Sequence, residues 1–180
     1  TVTSNPEEPY VLRAVRDGIA TLTLNRGGQF NALSQAMINA LQHELDAIAR
    51  DATIRVVVLA GAGKAFCAGH DLKEMRANHE KAFLQDLFRR CGRMMMTLTE
   101  MPQPVIARVH GIATAAGCQL VSMCDLAVAV ESARFATSGI NVGLFCATPA
   151  VGLARNLGRK QALEMLLTGE FVDADTAKDY

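Results

Sequence analysis

The run IRVVVLAGAG at residues 54–63 limits the fold more than any other part of the sequence. A continuous apolar and largely β-branched run of this kind is typical of a strand that is buried on both faces of a sheet. A strand-like segment precedes it at residues 19–25, and the chain between the two has apolar residues spaced for one face of a helix. Strand, helix and strand in that order predict an α/β fold with parallel strands, because parallel neighbours need a crossover connection.

The remaining elements are predicted from the same kinds of pattern. Residues 11–15 and 19–25 flank the turn RDG and predict a β-hairpin, and Ser34 is placed to cap a helix over residues 31–51. The segment MPQP ends the helix predicted over residues 79–100, because proline lacks a donor N–H. We further expect a buried strand at residues 105–111 and a short apolar helix at residues 116–125. A strand with a turn should follow at residues 126–137, and then a mostly helical tail at residues 149–180, broken at Gly158 and Gly169.

Composition and charge exclude several classes of partner. Half of the 180 residues are apolar, which is enough for one domain over residues 1–180. Eighteen basic residues balance 18 acidic ones, so we expect neither a nucleic acid nor a membrane partner, and no apolar run reaches the roughly 20 residues that span a bilayer. The five cysteines form no Cys-x-x-Cys pair, which predicts reduced thiols. We therefore expect a cytoplasmic protein, or a mitochondrial one if a leader preceded the polar segment TVTSNPEEPY.

Two segments share one layout of buried strand, small-residue turn and helix. They are VVVLAGAGKAFCAGHDLKEM, residues 56–75, and VIARVHGIATAAGCQLVSM, residues 105–123. The first N–H groups of a helix have no intrahelical partner, and the helix dipole adds partial positive charge there. Two such helix starts that face each other would stabilise an enolate or a tetrahedral oxyanion, whereas either loop alone is more often a plain connection. Neither segment contains a nucleotide-binding glycine motif.

Five motifs follow one another along nearly the whole chain: LNRGGQFNALSQAM, GKAFCAGHDLKEM, PVIARVHGIATAAGCQLVSMCDLAVA, ARFATSGINVGL and GRKQALEMLLTGEFVDADTAKDY. In this order and spacing the chain resembles the crotonase family, which is the enoyl-CoA hydratase/isomerase superfamily. The resemblance implies a spiral of ββα units with perpendicular sheets, a ClpP/crotonase-like α/β fold, ending here where the family's C-terminal helical region begins. It also implies homotrimers, often stacked as hexamers, and an acyl-CoA or enoyl-CoA thioester as ligand, with no other cofactor and no metal.

In that family two backbone N–H groups hold the thioester oxygen. The resemblance places them on His70, after CAG, and on Ala116, within TAAGC, where the family usually has glycine. Alanine keeps its N–H, so this donor is retained if the backbone accepts a Cβ. Lys64 or Lys73 could meet a phosphate, although a solvent-facing lysine is the commoner case. The CoA moiety is expected along two segments that contain Gln29, Phe30, Asn31, Ala32, Ala65, Ala68, Asp71 and Leu72.

The acid–base part of the sequence departs from the family pattern. Hydratases of the family use two glutamates, and the aligned positions here are Gln119, in GCQL, and Gly139, in FATSGI. An amide cannot take up a proton at neutral pH, and each positioned acid or base contributes about 10²–10⁴-fold, so (2E)-enoyl-CoA hydration should be weak. The resemblance implies an acyl-CoA-binding enzyme of fatty-acid metabolism that stabilises a thioester enolate. Two alternatives stay open: a non-catalytic acyl-CoA-binding protein, and a different thioester reaction on the same scaffold.

Candidate replacements for the glutamates lie near the same loops: Ser138, Asn141, Cys146 and His70. The imidazole of His70 has a reference pKa near neutral and could titrate usefully. The Cys146 thiol could act as a nucleophile, although a buried cysteine more commonly behaves as a small hydrophobe. Asp125 and His110 are predicted to have structural roles. No cluster of histidine, cysteine and carboxylate has the spacing of metal ligands.

Overall fold

A computed structural model describes residues 8–180, in which eight β-strands and seven α-helices form. The strands are β1 (Val11–Arg16), β2 (Ile19–Leu24), β3 (Val56–Gly61), β4 (Val105–Val109), β5 (Ile112–Thr114), β6 (Leu126–Ala129), β7 (Arg134–Ala136) and β8 (Val172–Asp173). The helices are α1 (Gln35–Ala49), α2 (Leu72–Ala77), α3 (Lys81–Glu100), α4 (Ala116–Met123), α5 (Ala147–Asn156), α6 (Arg159–Thr168) and α7 (Ala174–Asp179). Short 3₁₀ helices lie at Gly27–Gln29 and Ser138–Val142.

The larger sheet has five strands in the order β1-β2-β3-β4-β6. β1 and β2 pair antiparallel, which confirms the predicted hairpin. β2, β3, β4 and β6 then pair in parallel, which confirms the α/β prediction from strand, helix and strand. The prediction that β3 is buried on both faces holds for one face: Val57 and Leu59 are fully buried, whereas Val56 and Val58 are half-buried.

A second sheet of three strands, in the order β5-β7-β8, was only partly predicted. The segment at residues 126–137 was expected to hold one strand and a turn, but it holds β6 and β7, which belong to different sheets. β5 and β8 were missed altogether. They have three and two residues, which are too few to show the alternation by which a strand is recognised.

Helix α1 packs against α3 and against β1 and β2 of the larger sheet, and the sequence predicted the buried face of α1. Ser34 caps α1 by accepting a hydrogen bond from the Met37 N–H at 3.2 Å. α3 begins two residues later than predicted and buries Leu87, Cys91, Met94, Met95 and Leu98. Each such buried side chain contributes about 1.5–3 kcal/mol to the hydrophobic free energy of folding.

The last third of the chain is largely helical, as predicted. Gly158 stands at the N-cap of α6, and Gly169 ends that helix in the left-handed conformation with φ 67°. All five cysteines are free. Within the part of the chain described, from residue 8 onward, no helix is both long and apolar enough to cross a membrane.

Candidate active site

The loop at residues 66–71 lies between two other backbone segments and is hydrogen-bonded to both. On one side the Leu33 N–H donates to the Gly69 carbonyl oxygen at 2.7 Å. On the other side the Thr114 N–H donates to the Cys67 carbonyl oxygen at 3.0 Å. The loop after β3 is therefore held in register with β5 and with the start of α4.

Glycines allow these backbones to approach so closely. A Cβ on Gly117 would overlap the carbonyl oxygen of Cys67. A Cβ on Gly69, whose φ is 90°, would lie 3.1 Å from the Ala116 nitrogen. The peptide between Gly69 and His70 consequently lies beside the first residue of α4.

Two backbone N–H groups at this junction, those of His70 and Ala116, have no acceptor among residues 8–180. Both residues line one cavity of about 360 Å³. The Ala116 N–H belongs to the first turn of α4, where N–H groups lack an intrahelical partner and the helix dipole is positive. The His70 N–H precedes α2, whose N-cap is Asp71, so the expectation that both donors would belong to helix starts is wrong for His70.

Ala115, just before the free N–H of Ala116, has an unusual backbone. Its φ is 50° and its ψ is −123°, a region that L-residues rarely adopt. Such a conformation costs on the order of 1–3 kcal/mol and persists only where the surrounding structure enforces it. Ala116 itself is not among the residues with positive φ and is helical, so its Cβ is accommodated at the position where the family usually has glycine.

The wall of the cavity is predominantly apolar. Only His70 and Cys146 among its lining residues carry a titratable side chain. The lining residues are Ala68, His70, Leu72, Met75, Phe88, Ala115, Ala116, Ser138, Gly139, Val142, Leu144, Phe145, Cys146, Ala147, Thr148 and Pro149. A charge that develops beside such an apolar wall would interact strongly with the free N–H dipoles, because apolar side chains screen charge less than water does.

The His70 imidazole packs against Phe88, with ring centroids 4.9 Å apart and the planes tilted by 57°. Its Nε2 is buried and has no hydrogen-bond partner among residues 8–180. Burial lowers the pKa of His70 from 6.5 to about 4. The ring is therefore neutral at pH 7, and the expectation that it would titrate near neutral pH is not met.

This depressed pKa predicts a pH dependence of stability. Between pH 6.5 and 4 the unfolded chain binds a proton on His70 that the folded chain does not, so the free energy of unfolding falls as the pH falls through this window. The total loss is about 3 kcal/mol, because each pKa unit corresponds to about 1.4 kcal/mol. Urea unfolding of the wild type and of His70→Gln between pH 4 and 7 should show a shallower slope in the variant. The exposed His43, replaced by glutamine, is the control, and equal slopes for all three proteins would contradict the prediction.

Gln119 is buried and is not among the residues that line the cavity. Its side chain is 5% exposed, and its Oε1 has no hydrogen-bond partner among residues 8–180. Ala115 and Ala116, which do line the cavity, lie four and three residues before it, on the same side of α4. The amide therefore lies one helical turn from the free N–H of Ala116.

Position 139 has no room for a larger side chain. A Cβ on Gly139 would overlap the Leu144 carbonyl oxygen and would lie 2.8 Å from the Cys146 Sγ. The Cys146 side chain is 7% exposed and precedes α5 as its N-cap residue. Burial raises the pKa of this thiol, while a hydrogen bond from the backbone of Gly139 acts in the opposite direction. The thiol thus occupies the space of the absent side chain.

The other candidate acid–base residues have different surroundings. Ser138 lines the cavity, but its hydroxyl is paired with that of Thr114 at 2.7 Å. Asn141 is exposed, does not line the cavity and donates to the Gly169 carbonyl oxygen at 3.4 Å.

The two residues expected to be structural have structural contacts. Asp125 accepts a hydrogen bond from the Val105 N–H at 2.7 Å. The His110 Nε2 lies 2.9 Å from the Gly63 carbonyl oxygen, which can only accept, so this nitrogen carries the proton.

The side chain of Asn31 has a structural role. The residue is fully buried, with φ 52°, and its Nδ2 donates to the carbonyl oxygens of Ala62 at 2.8 Å and Ala65 at 2.9 Å. Its Oδ1 accepts from the Arg26 N–H at 2.9 Å. The side chain is therefore committed to holding the loop after β3, and only its backbone remains for the predicted CoA contact.

The other residues predicted to contact CoA border the same loop. Gln29 and Phe30 are exposed, Ala32 is half-buried and Ala65 is buried. Of the remaining three, Ala68 and Leu72 line the cavity, and Asp71 caps α2 by accepting from the Lys73 and Glu74 N–H groups at 2.9 and 3.1 Å. Lys64 and Lys73 are exposed.

The chain belongs to the enoyl-CoA hydratase/isomerase family, whose profile matches residues 14–180. The Xenopus laevis protein named enoyl-CoA hydratase domain-containing protein 3, mitochondrial, is 47% identical over 169 residues, which are 94% of this chain and 58% of the relative. The chain thus spans less than two thirds of that relative's length.

Solved structures of related proteins have the same fold as this chain. A crystal structure of enoyl-CoA hydratase from Mycobacterium smegmatis superposes with a TM-score of 0.94 at 62% identity, over 96% of this chain and 67% of that one. Human enoyl-CoA hydratase domain-containing protein 3 gives a TM-score of 0.92 at 43% identity, over 95% of this chain and 68% of that one. These likenesses confirm the predicted crotonase-type α/β fold.

The sequence did not reveal the wall of the cavity opposite the two free N–H groups. This wall comes from α2, α3 and the segment between Ser138–Val142 and α5, and it includes Met75, Phe88, Val142, Leu144 and Phe145. The only signal in the sequence was the helical stretch that predicted α3. The prediction of a helix does not show which of its faces borders a cavity.

Proposed function

We propose that the cavity binds the acyl part of an acyl-CoA or enoyl-CoA thioester, with the thioester oxygen accepting hydrogen bonds from the His70 and Ala116 N–H groups. The observation that carries this proposal is the pair of backbone donors without an acceptor at one apolar cavity. Unpaired N–H groups at an apolar site are costly unless a ligand pairs with them. An acyl thioester fits both features of the site, because its apolar chain suits the apolar wall and its carbonyl oxygen can accept from the two N–H groups.

The proposed chemistry is stabilisation of a thioester enolate in fatty-acid metabolism. When electrons move onto the thioester oxygen, two preorganised donors stabilise the negative charge without having to reorient. Hydration of a (2E)-enoyl-CoA also needs an acid and a base, and no carboxylate lines the cavity in the part of the chain described. The proposal therefore assigns enolate stabilisation to this site and only weak hydration.

The CoA moiety is proposed to lie along the exposed backbone that leads from Gln29 to Ala32 and along the loop that ends at Leu72. Three of these residues, Gln29, Phe30 and Leu72, are exposed. Contacts made largely through backbone atoms explain why the side chains of these segments are not distinctive.

A non-catalytic acyl-CoA-binding protein is the second candidate. The observation that favours it is the loss of room at position 139, where Leu144 and Cys146 fill the place of a side chain. A chain that retains the two donors but has closed one acid–base position could bind thioesters without turning them over.

The proposal includes self-association and a reducing compartment. Leu126 and Val128 of the edge strand β6 are each 63% exposed, which leaves an apolar strip of the kind that a second copy covers in a homotrimer or a hexamer. The compartment is the cytoplasm or the mitochondrion, since the cysteines are free and the Xenopus relative is mitochondrial by name.

Calorimetric titration with butyryl-CoA tests the binding proposal. We expect S-butyl-CoA, a thioether without the carbonyl oxygen, to bind about 10–100-fold more weakly, because it loses two hydrogen bonds of about 0.5–1.5 kcal/mol each. Free CoA controls for binding of the nucleotide part alone. Equal affinity for the thioester and the thioether would refute the assignment of the two donors, and no binding of any CoA ester would refute the proposed function.

Loss of enoyl absorbance from crotonyl-CoA separates the two candidates. We expect slow hydration, about 10⁴-fold or more below that of a relative that has both glutamates, because each of the two absent groups contributes about 10²–10⁴-fold. Binding with no measurable turnover would favour the non-catalytic candidate.

A further inference from the structure

Cys146 places a nucleophilic atom in the space where position 139 would project a side chain. The Sγ lies 2.8 Å from where a Cβ on Gly139 would be, and it receives a backbone hydrogen bond from Gly139. Cys146 is 7% exposed and is one of the residues that line the cavity. The chain has therefore exchanged a side chain at position 139 for a thiol that reaches the same place from the start of α5.

The thiol shares the cavity with two polar groups that lack a partner among residues 8–180. These are the N–H of His70 and the N–H of Ala116. Both can stabilise a negative oxygen. A nucleophilic atom and an anion-stabilising pair thus border one cavity.

We propose that Cys146 adds covalently to the double bond of an α,β-unsaturated acyl thioester bound in this cavity. This inference rests on the proposed function, because it requires the thioester oxygen to accept from His70 and Ala116. The ligand class is the 2-enoyl thioesters. Saturated acyl thioesters bind without reacting.

The step conserves atoms and electrons. The Cys146 Sγ forms a bond to C3, the electron pair of the C2–C3 π bond moves to give the enolate, and its oxygen accepts from the two N–H groups. The thiol proton is released to water, and C2 takes up one proton from water as the enolate collapses. The product is a saturated thioether that still carries CoA, and no oxidant or reductant is needed.

Conjugate addition fits this cavity better than transfer of the acyl group to the thiol. Acyl transfer passes through a tetrahedral oxyanion, which the two N–H donors would also stabilise, but it then expels the CoA sulfur as a thiolate. Among the cavity-lining residues none is cationic, since His70 is neutral at pH 7, so none of them pairs with a departing thiolate. In conjugate addition no group leaves, and the negative charge stays on the oxygen beside the two N–H donors.

Intact-protein mass spectrometry after incubation with crotonyl-CoA tests the proposal. We expect a gain equal to the mass of the whole thioester, located on Cys146 by peptide mapping, and no gain with butyryl-CoA. Cys146→Ser should lower the labelled fraction at least tenfold. Cys124→Ser is the matched control, because Cys124 is half-buried and does not line this cavity, and it should leave the labelling unchanged.

The outcomes separate this inference from the proposed function. If butyryl-CoA binds but crotonyl-CoA gives no adduct, the covalent step is wrong and the binding proposal stands. A gain of the acyl mass alone, or a label on another cysteine, also overturns the step. If butyryl-CoA does not bind, both proposals fail. Should Cys146→Ser not fold, peptide mapping of the labelled wild type still decides the site.

Discussion

Replacing Gly117 with alanine is expected to weaken butyryl-CoA binding by about 10–100-fold and to lower the free energy of unfolding by about 1–3 kcal/mol. The new Cβ would overlap the Cys67 carbonyl oxygen, which is backbone and has few ways to move. The start of α4 must then shift away from the loop at residues 66–71. This shift separates the Ala116 N–H from the His70 N–H, so that the thioester oxygen loses up to two hydrogen bonds of about 0.5–1.5 kcal/mol each.

The matched control is Gly92→Ala, in the middle of α3. A Cβ there meets nothing within 4 Å, so the substitution should stabilise the protein by up to about 1 kcal/mol through helix propensity and leave binding unchanged. Calorimetry with butyryl-CoA and urea unfolding measure both quantities for both variants. Wild-type affinity in Gly117→Ala would show that the close contact of the two backbones does not position the donors.

The parts of the fold that the sequence predicted are those in which periodicity extends over several residues. The 54–63 run, the hairpin and the buried face of α1 are of this kind. β5 and β7 have three residues each, and they pair through contacts between distant segments. No local pattern marks such pairing, because it depends on where the rest of the chain has already folded.

The candidate site likewise has features that the sequence revealed and features that it did not. The two N–H groups are backbone atoms, so no residue type in the sequence indicates their position. Only the resemblance located them on His70 and Ala116. The strained Ala115 and the close contact of Gly117 with Cys67 become visible only when both loops are seen together. The sequence did reveal the absence of carboxylates at positions 119 and 139, since these are side chains.

Cys146 shows why aligned positions alone mislead about chemistry. Gly139 reads as the loss of a group, but a residue seven positions later fills the same space. The space beside a glycine can be filled by the side chain of another residue, or it can be open. No local pattern in the sequence connects Gly139 with Cys146.

Gln119→Glu is expected to increase crotonyl-CoA hydration by about 10²-fold or more. The substitution introduces a carboxyl group one helical turn from the Ala116 N–H, and a single positioned acid or base contributes about 10²–10⁴-fold. Burial should raise the pKa of this carboxyl toward neutrality, which suits proton transfer near pH 7. Activity should stay below that of a two-glutamate relative, because Leu144 and Cys146 leave no room for a carboxylate at position 139.

Gln103→Glu is the matched control for the introduced charge. Gln103 is another buried glutamine, 6% exposed, whose Oε1 also lacks a partner among residues 8–180. Its amide donates to the Ile48 carbonyl oxygen, whereas Gln119 lies one helical turn from the Ala116 N–H. Both variants should lose stability as the pH rises above about 4.3, because a buried carboxyl whose pKa is raised in the folded state stays protonated there after the unfolded chain has lost its proton. Only Gln119→Glu should gain hydration. A gain in both variants, or in neither, would mean that position 119 does not face the reacting double bond.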